Sequence, residues 1–113
     1  MKILKTTFAS LAIAALVPAA TWAGTVEGTI GSLSQRASDG LIVVYISGTN
    51  SGRPTCAYQQ YWLVKDENSS VGKGQYAMLL AAKLAGKSVR LVGSNTCTRW
   101  SDGEDINYIE ILD

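Results

Sequence analysis

Cys56 and Cys97 are the two cysteines of this 113-residue chain, which has no histidine. Such a pair is either a cross-link or part of a metal site, and the compartment decides between the two. The amino end supplies the compartment. Lys2 and Lys5 precede an uncharged run over residues 6–17, Pro18 interrupts it, and Thr21-Trp22-Ala23 puts small residues where a signal peptidase reads. The apolar run is about 12 residues, against the roughly 20 needed to span a bilayer. The expectation is therefore a signal peptide at 1–23, cleavage after Ala23, a single domain at 24–113, and a secreted or periplasmic location with no membrane insertion after cleavage. In an oxidising compartment Cys56 and Cys97 read as a disulfide, whose loop of about 40 residues contributes roughly 4 kcal/mol in the chain-entropy model. A zinc site would need more ligands than two cysteines and no histidine can offer.

Two of the ten basic residues lie in the signal, so eight face nine acidic ones in the remainder, a net charge of −1. Nucleic acid and anionic lipid both call for a basic excess that this domain lacks. The missing histidine removes Ser–His and Cys–His catalysis, and a bridged cysteine is no nucleophile. Ser70-Val71-Gly72-Lys73 has the S-x-x-K spacing without its companion motifs. Gly86-Lys87-Ser88 imitates the end of a phosphate loop at what reads as a helix C-terminus, where the dipole repels phosphate. No cofactor motif is present, and the chain reads as a non-enzyme.

Alternating polar and apolar residues mark a half-buried strand over 25–33. The run 41–46, Leu-Ile-Val-Val-Tyr-Ile, reads as a strand covered on both faces. A third strand fits 57–64, with Tyr58, Gln60, Trp62 and Val64 on one side and Trp62 as core. Over 75–85 Tyr76, Leu80 and Leu84 recur every four residues and Gly86 supplies a stop, giving a helix that packs on Leu80 and points Lys83 to solvent. Strands over 88–92 and 106–112 follow. Three strands, one helix and two strands define a β-rich (α+β) domain, namely a five-stranded OB-like barrel with its helix between strands 3 and 4 and one disulfide. An antiparallel sheet with the helix across one face is the alternative.

The run from Tyr76 to Leu91, with Cys56 before it and Cys97 after it, resembles small exported proteobacterial OB-fold proteins, among them the B subunits of subtilase cytotoxin and pertussis-like AB5 toxins. That resemblance implies a glycan-binding recognition module that assembles as a ring of identical copies. A protein that binds and blocks another protein is the alternative function. The ligand-binding candidates are Trp100, Arg99, Asp102 and Asn107, because an indole face beside carboxylate and amide groups suits a sugar or a protein partner. The other reading of Trp100 is a core residue or a lid on the open end of a barrel. Asp102, Glu104 and Asp105 read as a solvated turn; they do not follow a calcium loop.

Overall fold

The structure is a computed structural model that describes residues 23–113; the apolar run of the expected signal peptide lies outside the described residues. Strand β1 (Thr25–Gln35) is followed by β2 (Ile42–Ile46), β3 (Trp62–Leu63), helix α1 (Ser70–Ala85), β4 (Ser88–Gly93) and β5 (Glu104–Ile111). Together they form a closed barrel of order β1-β2-β3-β5-β4, with the helix between β3 and β4 as the element pattern predicts.

Closure depends on β1, which is long enough to serve two neighbours. Its first half pairs antiparallel with β4, Thr25 opposite Val92 through Thr29 opposite Ser88. Its second half pairs with β2, Ile30 opposite Ile46 through Gln35 opposite Ile42, with a bulge between Ile30 and Ser32. A bulge bends and twists a strand, which lets one strand turn a barrel corner. The short parallel pairing of β3 with β5, Trp62 opposite Glu104 and Leu63 opposite Asp105, shuts the barrel. Inside lie Val26, Ile30, Ile42, Val44, Trp62, Val64, Leu79, Val89, Leu91 and Ile106. Trp62 is core as expected, and its Nε1 donates to Asn50 Oδ1 at 3.0 Å, satisfying the polar handle of a buried indole.

Ser69 caps the helix, its Oγ accepting from Gly72 N at 2.9 Å. Gly86 ends it in the left-handed conformation at φ 64°. The packed face differs from the one the sequence suggests. Leu79 is 0% exposed and Ala82 1%, whereas Leu80 is 39% and Leu84 80% exposed. A strict four-residue step overshoots the helical repeat, so at about 100° per residue Leu80 stands ~80° and Leu84 ~120° around from the buried Gly72 direction. The observed face instead mixes steps of three and four. Lys83 is exposed, as expected, but its Nζ is not free: it donates to Ile30 O at 3.0 Å and Gly31 O at 3.2 Å, carbonyls at the β1 bulge.

Three further expectations are corrected. The strand over 57–64 shrinks to Trp62–Leu63, because side chains rather than a neighbouring strand take up the preceding carbonyls. Arg53 donates to Gln59 O at 2.5 Å and Tyr61 O at 2.8 Å, and Asn50 Nδ2 to Gln60 O at 2.9 Å. Strand β2 is covered on one face only, with Tyr45 exposed. Glu104 and Asp105 are not in a solvated turn; both are fully buried at the start of β5. The Cys56–Cys97 disulfide is present, with 6.2 Å between Cα atoms. It ties the β2–β3 connection to the β4–β5 connection.

The helix packing has a direct mutational consequence. Leu79→Ala is expected to cost about 2–5 kcal/mol as a buried truncation, and Leu80→Ala about 0.5 kcal/mol as a surface change. Urea midpoints of the two variants measure the difference.

Candidate functional site

The β4–β5 connection carries Arg99, Trp100 and Asp102, and a buried carboxylate organises it. Asp105 Oδ2 accepts from Thr96 Oγ1 and Thr98 Oγ1, each at 2.6 Å, and from Thr98 N at 2.9 Å, while Oδ1 accepts from Arg99 N at 3.0 Å. Burial pushes this carboxyl's pKa up, but the four donated bonds outweigh burial and hold it below the usual aspartate value. Adjacent strand residues point to opposite faces, so Glu104 reaches the other way. It accepts from Gly24 N and Asn95 N at 3.0 Å each, and pairs with Arg53 at 3.4 Å.

Arg99 is locked beneath this loop. Its guanidinium grips both oxygens of Glu67 at 3.0 Å and donates to Asp39 O at 3.0 Å, which ties the β1–β2 and β3–α1 connections to the 94–103 loop. Its proton affinity is raised chiefly by the Glu67 bonds, and the same bonds lower Glu67.

Above this frame lies a patch of exposed rings. Trp100 is 42% exposed, and the Arg36 guanidinium sits 4.7 Å over its ring centroid. Asp39 orients that arginine through bonds of 2.9 and 2.6 Å, and the Asp39 carboxyl is held well below its usual range, first by Arg36 and then by the backbone N–H of Leu41. Tyr61 donates its hydroxyl to Asp102 and meets Tyr45 edge-on at 5.7 Å between ring centres. Burial, then the Asp102 bond and its charge, raise the Tyr61 pKa, so its phenol stays a proton donor; Tyr45 and Tyr58 lie near enough to add to the effect. The proton affinity of Arg36 is raised chiefly by its bond to Asp39. Tyr58, at 69% exposure, is the most accessible ring among the described residues.

Of the four candidate residues, the structure puts Trp100 and Asp102 in this patch. It makes Arg99 a strut beneath the patch rather than a free contact. It separates Asn107, which sits on β5 beside Ile106 and Gln75 in a groove of about 240 Å³ at the start of the helix. The sequence reading misses Arg36, Tyr45, Tyr58 and Tyr61. Tyr61 is out of phase with Trp62 and so carried a faint signal; Arg36 lies 64 residues from Trp100 and carried none.

The strand order and pairing are those of an OB-fold barrel. No family model, curated protein or solved structure matches the chain, and the likeness to AB5 toxin B subunits rests on the sequence pattern alone.

Asp105 has a testable signature. A carboxyl depressed by native hydrogen bonds stabilises the fold above its unfolded pKa, and that contribution is lost as pH falls through the folded value. Asp105→Asn is expected to lower the urea midpoint at pH 7, with the gap to the parent narrowing below the usual aspartate pKa. Denaturation series at pH 7, 5 and 3 measure it.

Proposed function

We propose that this chain is an exported, non-enzymatic recognition module that binds glycan through the face formed by Tyr45, Tyr58, Tyr61, Trp100, Asp102 and Arg36. The observation that carries this reading is the clustering of accessible rings beside an oriented carboxylate and guanidinium on connections cross-linked by a disulfide. Sugar rings offer apolar C–H faces that stack on aromatic side chains and hydroxyls that bond to carboxylate and guanidinium groups. Held rings lose little conformational freedom on binding, so more of the contact energy appears as affinity.

The rest of the polar inventory supports recognition over catalysis. The two buried carboxylates, Glu104 and Asp105, are engaged by fixed donors and face no open cleft where a proton could be exchanged with substrate. An exported domain that presents such a face is compatible with a toxin-B-subunit-like carrier that docks on cell-surface glycans.

Trp100→Ala and Tyr58→Ala are expected to keep thermal stability within about 1 kcal/mol of the parent, since each is a surface change and the Arg36 stack contributes about 0.5–1 kcal/mol. Both are expected to weaken binding on an immobilised-glycan panel at least tenfold. Binding unchanged in both variants would place the site elsewhere. A panel with no binder would remove the glycan reading in favour of a protein partner on the same face.

A further inference from the structure

The amide nitrogen of Gly24 is the atom that becomes an α-amino group if the chain is cut after Ala23, as the Thr21-Trp22-Ala23 pattern implies. In the folded barrel that nitrogen is buried and donates to Glu104 Oε2 at 3.0 Å, against a carboxylate with no solvent exposure. Its place is fixed, because Gly24 O accepts from Gly93 N at 2.8 Å and so continues the β1–β4 pairing. The position also tolerates no side chain. A Cβ on Gly24 would overlap Glu104 Oε1 and Arg53 Cγ, and a Cβ on Gly93 would overlap the other oxygen of the same carboxyl. Two glycines thus leave room for one carboxylate to meet the start of the domain. One residue earlier, Ala23 is already partly exposed.

We propose that Glu104 is the receptor for the α-ammonium group created by hydrolysis of the Ala23–Gly24 bond, so that processing completes a buried ion pair and stabilises the barrel. In that hydrolysis water adds to the Ala23 carbonyl carbon and the C–N bond breaks. Ala23 leaves as a carboxylate, and the Gly24 nitrogen keeps the bonding pair and takes up protons to become –NH3+. A neutral N–H donor is thereby replaced by a charged one, and charge-assisted bonds are roughly twice as strong as neutral ones. The two oxygens of Glu104 divide three partners: Arg53 occupies Oε1 from the β2–β3 connection, and Gly24 and Asn95 share Oε2. Among the described residues, the charged groups facing Gly24 are Glu104 and Arg53. The β4 side presents only the backbone of Gly93 and Asn95, Glu27 of β1 is turned outward to Arg90, and Asp105 is turned into the loop at Thr96 and Thr98. The inference is independent of which ligand the aromatic face takes.

The test is export of the full precursor from a bacterial host and purification without an amino-terminal tag. Intact mass is expected to begin at Gly24. The pH profile of α-amine labelling then separates pairing from mere burial. A carboxylate partner raises the amine's pKa, whereas burial alone lowers it. The expected folded profile moves upward from the ordinary value of about 7.7–8.0, leaving at pH 8 about tenfold less free amine than in the urea-unfolded chain. Stabilisation by the pair is present below that ordinary value and is lost as pH rises through the folded one. Glu104→Gln is expected to abolish the upward move. Should that variant not fold, one alanine inserted after Ala23, which displaces the ammonium from the carboxylate, is expected to do the same and to lower the urea midpoint at pH 7. A mature chain starting elsewhere, or a folded amine whose profile is unmoved or lowered, would overturn the proposal.

Discussion

Two adjacent buried carboxylates at the start of β5 hold the rest of the molecule together. Burying an unpaired charge costs several kcal/mol, so a buried acid persists only where the structure surrounds it with donors. Glu104 and Asp105 are supplied from opposite directions. Glu104 collects Gly24 just before β1, Asn95 in the β4–β5 connection and Arg53 in the β2–β3 connection. Asp105 collects the threonines and backbone of the 96–99 turn. The parallel pairing that shuts the barrel joins these same two residues to Trp62 and Leu63. Closure and polar satisfaction are therefore one event, with the short β3 held as much by Arg53 and Asn50 as by its strand neighbours.

The aromatic face is built upon that arrangement. Asp105 fixes the turn from which Trp100 projects, Arg99 below it clamps two neighbouring connections through Glu67 and Asp39, and the disulfide joins the loops on either side. Arg36 and Asp39 then orient one half of the patch, and Tyr61 with Asp102 the other. Exposed rings on a supported frame are a suitable recognition surface because the conformational cost of binding is met during folding.

Much of the architecture is legible along the chain because it is local. Alternation at 25–33 and 88–92, the apolar run at 41–46, the helix with its Gly86 stop and the lone cysteine pair lead to a five-stranded barrel with one helix and one disulfide, as observed. The packed helix face differs from the one the sequence suggests because a four-residue spacing is only an approximate period. Over two steps the error carries Leu84 well away from the packed side, while Leu79 and Ala82 take the core. Asp102, Glu104 and Asp105 look alike as a sequence, yet Asp102 is half-buried and the other two are fully buried. Their donors are Gly24, Arg53, Asn95, Thr96, Thr98 and Arg99, and no local pattern advertises a donor 80 residues distant.

The sequence by itself determined the element order, the cross-link, the weak overall charge and the absence of histidine chemistry, since each follows from composition or from periodicity within a few residues. Only the tertiary structure decided which face of the helix packs, which acids are buried, and that Arg36, Tyr45, Tyr58 and Tyr61 share a surface with Trp100. Those outcomes depend on β1 bending at its bulge to pair with both β2 and β4, a closure that brings distant residues together by geometry rather than by spacing in the chain.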